Sequence, residues 1–215
     1  MKVVSLPKHI RGLVFDVDLT LYDSRDYYDS MEPLMTERLA RELGKTVPEM
    51  TAELRHVQET YKAENGGRKL SIGNLFHRFG VSFEENVRWR EELFQPEKYL
   101  SWDAALAETM RILAQHFKIA AASNNATSVV KRTLKVLGVD HFIPVVIGLD
   151  MSLESKPTMV PFRMASEMLD IPLNELVSIG DRMEIDIELP VANGMGGILV
   201  ERMEDVYALP DILLS

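Results

Sequence analysis

The sequence predicts an α/β fold in which helices cover both faces of a parallel β-sheet. From about residue 100 onward, short apolar segments alternate with helical patterns, and this alternation is typical of parallel sheets. An earlier apolar segment, which includes Val14 and Phe15, is separated from the next by about a hundred residues that are almost wholly helical in pattern. We therefore predict a three-layer, Rossmann-like core formed by residues 1–23 and 100–215, with an inserted all-helical domain at 24–99.

The spacing of the apolar residues places the individual elements. After the strand at Val14 and Phe15, strands are predicted at 117–122, 144–149, 176–180 and 197–200. Helices of the core are predicted at 103–116, 127–137, 158–169 and 184–192. Helices of the insertion are predicted at 26–43, 48–63, 72–79 and 83–94. Pro48 suits a first helical turn, and Gly44 and Gly138 each follow the end of a helix.

Polar side chains follow four of the predicted strands. In chain order they are Asp16, Asp18 and Thr20; then Ser123 and Asn124; then Lys156; then Asp181 and Asp186. Right-handed crossovers bring the carboxyl ends of parallel strands to one edge of a sheet, where ligands of such folds bind. The sequence therefore predicts a single site built from four loops.

The first polar cluster has a spacing that favours catalysis. In an extended chain Asp16, Asp18 and Thr20 lie on the same side. Two carboxylates so close repel each other unless a cation or a shared proton relieves them. This suits a magnesium site with a nucleophilic carboxylate beside an acid–base carboxylate. A strand that ends in an acidic turn is the alternative for this segment alone, and the ordered later clusters favour the catalytic interpretation.

The composition excludes several classes of function. The chain has 215 residues, a net charge of -9 and no cysteine. An acidic chain is a poor ligand for the phosphate backbone, so nucleic acid is not expected as a partner. Disulfides and thiolate sites are excluded, and no apolar run is long enough to span a bilayer. The first residues lack the apolar region of a signal peptide, and we expect a cytoplasmic protein without a membrane partner. No pattern in the sequence sets an oligomeric state.

The four clusters resemble the motifs of the haloacid dehalogenase superfamily, whose members are mostly phosphatases. The segment from Phe15 to Leu21 matches the first motif, Ser123 the second, Lys156 the third, and the segment from Gly180 to Asp186 the fourth. The resemblance covers the whole core, and it identifies the insertion as the family's α-helical cap. One departure is Leu19, which stands where the family usually has glycine or asparagine.

The resemblance implies a role for each residue in the hydrolysis of a small phosphorylated metabolite. Asp16 would form an aspartyl-phosphate, and Asp18 would protonate the leaving oxygen and then deprotonate water. Mg²⁺ would be held by Asp16, by the backbone carbonyl of Asp18 and by Asp181, with Asp186 in the outer shell. Lys156 would neutralise the nucleophile and the phosphoryl oxygens. The groups expected to bind the phosphate are Thr20, Ser123, Asn124 and Lys156.

The sequence leaves the substrate open. The turn from Tyr61 to Leu70 has a weaker similarity to pyrimidine 5'-nucleotidase-like members, which makes a nucleotide 5'-monophosphate one alternative. Arg68 and Arg78 are candidates to pair with a second anionic group of the substrate, although a solvated surface position is the commoner explanation for such arginines. Arg182 either neutralises the acidic site or faces water. The sequence does not distinguish Mg²⁺ from Mn²⁺ as the bound ion.

Two other functions are compatible with the same motifs. A phosphomutase would use the same intermediate and pass the phosphoryl group to a sugar hydroxyl. A binding module would keep the fold and the metal without turnover, but binding alone does not require Asp16, Asp18, Lys156 and Asp181 together. Turnover of an aryl phosphate with Mg²⁺ separates an enzyme from a binding module, and activation by a sugar bisphosphate separates a mutase from a hydrolase.

Overall fold

The computed structural model describes residues 1–67 and 69–215 and contains two compact units. One unit comprises Met1–Tyr28 and Pro96–Ser215, and the other comprises Asp29–Gln95. Arg68 lies outside the described residues. In the described part of the chain, no helix is both long and apolar enough to cross a membrane. The assignment of residues 24–99 as a cap domain stays a prediction.

The first unit is built on a six-stranded sheet. Its strands are β1 (Lys2–Ser5), β2 (Gly12–Phe15), β3 (Lys118–Ala122), β4 (Val145–Ile147), β5 (Leu176–Gly180) and β6 (Gly196–Leu199). The order across the sheet is β1-β6-β5-β2-β3-β4. From β2 the chain moves outward through β3 and β4, then returns to the other side of β2 with β5 and β6. The strand order thus reverses between β2 and β5, which is where ligands bind in such sheets.

The predicted α/β fold is confirmed, with one correction to the sheet. All five predicted strands are present and pair in parallel, but β1 was not predicted and pairs antiparallel with β6. Residues Lys2, Val3 and Val4 are exposed, and the pairing register shifts between Val3 and Ser5. Such a short edge strand, exposed on both faces, has no alternating apolar pattern that sequence analysis could detect.

The central strand β2 is covered on both faces. All four of its residues are buried. Val14 belongs to an apolar cluster with Ala120, Ala122 and Phe162, and Leu13 and Phe15 point to the opposite face, since side chains alternate along a strand. The register that aligns Phe15 with both Ala121 and Ile179 brings the carboxyl ends of β2, β3 and β5 to the same level.

The helices largely follow the predicted pattern. In chain order they are α1 (Arg25–Glu42), α2 (Val47–Glu64), α3 (Ile72–His77), α4 (Phe83–Leu93), α5 (Ala104–Leu113), α6 (Thr127–Leu137), α7 (Leu149–Ser152), α8 (Val160–Leu169), α9 (Glu188–Ala192), α10 (Met203–Tyr207) and α11 (Leu209–Leu213). The short helices α7, α10 and α11 were not predicted. Thr46 and Ser82 begin α2 and α4 with capping boxes, which satisfy backbone N–H groups at each start.

The predicted helix at 184–192 is present, but its first half is not a regular α-helix. The residues Met183–Ile187 form a π-helical turn, and α9 begins only at Glu188. The hydroxyl of Ser178 donates to the Asp186 carbonyl at 2.6 Å, and the Arg182 amide donates to the Asp186 carboxylate at 3.2 Å. These two contacts tie the turn back to the end of β5, which explains why a regular helix does not continue through Asp186.

Candidate active site

Asp16 lies directly after the central strand and is the most enclosed carboxylate of the predicted first motif. Its backbone N–H donates to the Ile179 carbonyl at 2.8 Å, and the residue is only 3% exposed. One carboxylate oxygen accepts a hydrogen bond from Lys156 Nζ at 2.8 Å. The Thr20 hydroxyl donates to the other oxygen at 3.5 Å, the outer limit of a hydrogen bond. Asp16 thus keeps an oxygen with little hydrogen bonding.

The extended chain stops at Phe15, and a tight turn follows. The Thr20 and Leu21 amides both donate to the Val17 carbonyl, at 3.2 and 3.0 Å. Leu19 adopts the left-handed backbone conformation, with φ at 61°. Residues other than glycine and asparagine rarely adopt this backbone conformation. This preference explains why glycine or asparagine is usual at this position in the haloacid dehalogenase superfamily, whose first motif this segment resembles. Leucine is nevertheless accommodated here.

Asp18 is held by two donors. The Tyr22 hydroxyl donates to Oδ1 at 2.7 Å, and the Asn125 side-chain amide donates to Oδ2 at 3.0 Å. Burial of the carboxyl, and then the charge of Asp16, raise the pKa of Asp18, and the hydrogen bonds from Tyr22 and Asn125 oppose that rise. An acid with a raised pKa is suited to donate a proton near neutral pH.

Lys156 is buried and connects three segments of the core. Its ammonium donates to the Ala122 carbonyl at 2.7 Å, to Asp16 at 2.8 Å and to Asp186 at 2.7 Å. Burial alone would lower the pKa of Lys156, but the charges of Asp16 and Asp186 outweigh it and the pKa is raised. The residue therefore stays a cation, and removing either partner would leave a buried charge poorly compensated.

The end of β5 supplies the other two carboxylates. Asp181 is half-buried, and burial together with the charge of Asp16 raises the pKa of Asp181 to about 6. Asp186 is 1% exposed and packs against Gly180, where an added Cβ would lie 2.5 Å from the Asp186 Cβ. Because only glycine leaves this space, the strand end and the π-helical turn can approach closely enough to bring Asp186 to Lys156.

Arg182 lies among the carboxylates, which decides between the two alternatives that the sequence left open. Its guanidinium nitrogens lie 3.9 Å from Asp16, 3.5 Å from Asp181 and 3.6 Å from Asp186. These carboxylates raise the pKa of Arg182 although burial opposes the charge. Arg182 therefore neutralises part of the acidic cluster.

Ser123 and Asn124, two of the residues predicted to bind the phosphate, have different hydrogen-bond partners. Ser123 is buried, and its hydroxyl accepts a hydrogen bond from the backbone N–H of Asn125 at 3.0 Å. The side chain of Asn124 bonds the backbone of Lys156 at both ends, accepting from the amide at 2.7 Å and donating to the carbonyl at 3.2 Å. Asn124 thus fixes the Lys156 segment, and its contact with substrate stays a prediction.

Three carboxylates could hold a metal ion together. Asp16, Asp181 and Asp186 each offer an oxygen within 4.8 Å of the others. Among the described residues, one buried oxygen of Asp181 accepts no hydrogen bond, and its ion-pair contact with Arg182 Nε is long, at 3.5 Å. A buried acceptor with so little compensation is costly, and a cation would satisfy it. Three carboxylate oxygens are ligands that suit Mg²⁺, so the donor set fits the predicted metal.

The main charged groups of the site were predicted from the sequence, but the residues that hydrogen-bond to Asp18 were not. Lys156 contacts Asp16 and Asp186, and one oxygen each of Asp16, Asp181 and Asp186 lies within 4.8 Å of the others. The carboxylate of Asp18 faces Tyr22 and Asn125, and the use of its backbone carbonyl as a metal ligand stays a prediction. The four-residue spacing of Asp18 and Tyr22 was the one available sign of that contact.

Comparison with known proteins agrees with the resemblance found in the sequence motifs. The model of the haloacid dehalogenase-like hydrolase family matches residues 10–192. The pyrophosphatase PpaX of Listeria innocua is 26% identical over 185 residues, which cover 83% of this chain and 77% of that protein. The phosphoglycolate phosphatase of Aquifex aeolicus is 27% identical over 181 residues, which cover 83% and 79%. These relatives share most of their length with this chain.

A solved structure shows the same fold. The crystal structure of a HAD phosphatase from Thermococcus onnurineus superposes with a TM-score of 0.62 at 20% sequence identity. The match covers 95% of this chain and 98% of that chain. The arrangement of strands and helices is thus shared over nearly the whole of both molecules.

Proposed function

Because the chain belongs to the haloacid dehalogenase-like hydrolases, we propose that it is a magnesium-dependent phosphatase acting on a small phosphomonoester. The proposed reaction passes through an aspartyl-phosphate on Asp16. The observation that supports the proposal is the convergence of Asp16, Lys156 and Asp181 at one edge of the sheet, although Lys156 and Asp181 lie 140 and 165 residues after Asp16 in the chain. A purely structural ion pair would need only one of the carboxylates.

Mg²⁺ would be held by Asp16 and Asp181, with the backbone carbonyl of Asp18 as a further proposed ligand. Asp186 is better placed behind them, because one of its oxygens is bonded to Lys156 and the other to the Arg182 amide. When bound, the ion would supply positive charge that stabilises the phosphoryl oxygens during transfer. The proximity of the Asp16 and Asp181 carboxylates, with one oxygen of Asp181 accepting no hydrogen bond, supports this placement.

The proposed chemistry has two displacements. In the first, a carboxylate oxygen of Asp16 bonds to phosphorus, and the bond to the leaving oxygen breaks as that oxygen takes the proton of Asp18. In the second, water bonds to phosphorus while Asp18 takes its proton, and the bond to Asp16 breaks. The products are an alcohol and inorganic phosphate. Lys156 keeps its proton throughout and offsets the charge beside Asp16.

The helical unit Asp29–Gln95 is proposed to act as the cap that selects the substrate. The two relatives named above act on pyrophosphate and on phosphoglycolate by name, and both molecules carry a second anionic group beside the scissile phosphoryl group. They support small phosphorylated metabolites as the substrate class. The pairing of Arg78 with such a second group and a cytoplasmic location both stay predictions.

A panel of phosphate monoesters with Mg²⁺ tests the proposal. We expect turnover of at least an aryl phosphate, and Asp16→Asn should lower kcat by about 10³-fold or more with the fold intact by circular dichroism. Asp211→Asn, the same chemical change at an exposed position of α11, should leave kcat unchanged. Full turnover in Asp16→Asn would contradict the assignment of the nucleophile. A sugar bisphosphate requirement would instead favour the phosphomutase alternative.

A further inference from the structure

We propose that Tyr22 is a positioning residue for the acid–base carboxyl Asp18, and that Asn125 acts with it from a second segment. This inference rests on the proposed function, because it assumes that Asp18 transfers a proton to the leaving oxygen. It is carried by the two hydrogen bonds that reach Asp18, one to each of its oxygens, at 2.7 Å from Tyr22 and 3.0 Å from Asn125.

Two donors on two oxygens fix the plane of a carboxyl group. A single hydrogen bond would leave the group free to rotate about χ2, whose torsional profile is broad. Each carboxylate oxygen has two lone-pair directions, so one direction on each oxygen remains for the transferred proton. The pair of bonds therefore holds Asp18 in one orientation without blocking its chemistry.

Tyr22 is rigidly held itself. The residue is 3% exposed, and its ring packs against Tyr27 with centroids 5.6 Å apart. Tyr27 in turn packs against Tyr99, with centroids 5.4 Å apart. A buried ring in such a row loses little further freedom when its hydroxyl bonds Asp18, so the position of that hydroxyl is set by packing and not by the hydrogen bond alone.

Asn125 is fixed by the loops that follow β3 and β4. Its backbone N–H donates to the Ser123 hydroxyl at 3.0 Å, and its backbone carbonyl accepts a hydrogen bond from the Leu149 N–H at 2.8 Å. The residue is 2% exposed. The two donors to Asp18 therefore come from separate parts of the chain, each anchored independently, which makes the orientation of Asp18 a property of the folded core.

This arrangement predicts a specific dependence on the leaving group. A phenolate such as 4-nitrophenolate leaves without a proton, whereas an alkoxide needs one as the bond breaks. Misplacing Asp18 should therefore slow the hydrolysis of an alkyl phosphate more than that of 4-nitrophenyl phosphate. A mutation that only loosens the fold would lower both rates in the same proportion.

The experiment compares Tyr22→Phe with Tyr99→Phe on both substrates. Tyr99→Phe makes the same chemical change in the same aromatic row, at a residue that is 42% exposed. We expect Tyr22→Phe to reduce kcat/KM for the alkyl phosphate about tenfold more than for the aryl phosphate, and Tyr99→Phe to keep the wild-type ratio. In an Asp18→Asn background, Tyr22→Phe should cause no further loss with the alkyl phosphate, since both changes act through one group.

An unchanged ratio of the two rates in Tyr22→Phe would overturn the inference, as would a full further loss in the Asp18→Asn background. If Tyr22→Phe does not fold, Asn125→Ala is measured in the same way and must shift the ratio in the same direction. Failure of the proposed function is distinct, because the wild-type protein would then hydrolyse neither phosphate.

Discussion

Leu19 is a leucine in a backbone conformation that favours glycine. Its φ of 61° places a branched side chain in the left-handed region, at a strain of roughly 1–2 kcal/mol. Glycine removes that strain but increases the entropy of the unfolded chain, which is worth about 0.4–1 kcal/mol. The net effect should favour the folded state slightly.

Leu19→Gly is therefore expected to raise the free energy of unfolding by about 0.5 kcal/mol, measured by urea denaturation. Leu153→Gly is a matched comparison, because Leu153 has φ at 53° and a side chain that is 57% exposed. If Leu19→Gly destabilises the protein while Leu153→Gly does not, the packing of the Leu19 side chain outweighs the strain.

Asp181 should make the metal-free protein sensitive to pH. Its folded-state pKa is about 6, above the ordinary 3.8, so the protonated carboxyl is favoured in the folded protein. The stability that this group contributes is present below its ordinary pKa and is lost as pH rises through about 6.

In the presence of EDTA, the wild-type protein should lose stability relative to Asp181→Asn between pH 4 and pH 7, by on the order of 2 kcal/mol. Urea denaturation across this range measures the difference. Asparagine does not ionise, so the variant removes only the titration. A difference in stability that stays constant with pH would show that Asp181 has no raised pKa.

The candidate catalytic residues could be predicted from the sequence, but the residues that position and neutralise them could not. Asp16, Lys156 and Asp181 follow buried strands, and the convergence of parallel strand ends is a general rule of the fold. The contact between Asp18 and Asn125 joins residues 107 positions apart, with no pattern in either segment that predicts it. The position of Arg182 likewise depends on the π-helical turn that follows it.

At the scale of elements, the close approach of β5 and the π-helical turn depends on Gly180. A methyl group there would meet the Asp186 side chain at 2.5–2.9 Å. Asp186 cannot retreat without leaving Lys156, to which it is bonded at 2.7 Å. Overpacking of a buried position typically costs 1–3 kcal/mol.

Gly180→Ala should therefore lower the free energy of unfolding by about 2 kcal/mol and also reduce kcat of the folded enzyme. Gly196→Ala is the control, because its added methyl would meet Pro7, Val177 and Ser5 at 2.7–3.1 Å, away from the carboxylates. Denaturation and steady-state kinetics separate the two effects. Equal kcat losses in both variants would argue against a specific role of Gly180 in placing Asp186.

The elements that sequence reasoning found are those with strong periodicity. Helix α6 and strand β5 have the predicted bounds, because buried apolar residues recur at the helical spacing in one and continuously in the other. The edge strand β1 and the π-helical geometry of Met183–Ile187 were not predicted. The first is exposed, and the second is set by tertiary hydrogen bonds that are not visible in local sequence.

For the whole molecule, the charge balance of the site predicts a dependence on divalent metal. Four carboxylates, those of Asp16, Asp18, Asp181 and Asp186, face the two cations Lys156 and Arg182. One divalent ion would offset the remaining negative charge. A ligand at about 100 times its Kd stabilises a protein by about 2.7 kcal/mol.

Mg²⁺ should accordingly raise the Tm by several degrees, since about 1 kcal/mol corresponds to about 2–4 °C for a chain of this length. Differential scanning calorimetry with Mg²⁺ and with EDTA measures the shift. Asp181→Asn should largely abolish it, whereas Asp211→Asn should retain it. A wild-type Tm that does not respond to Mg²⁺ would count against a metal site at the acidic triad.

The most direct test of the account is the stereochemical course at phosphorus, measured with a phosphorothioate monoester made chiral at phosphorus by ¹⁶O and ¹⁸O and hydrolysed in water enriched in ¹⁷O. Two successive in-line displacements, the first by Asp16 and the second by water, predict retention of configuration in the inorganic thiophosphate released. Inversion would mean that water attacks the substrate directly, and it would contradict an aspartyl-phosphate at the end of the central strand.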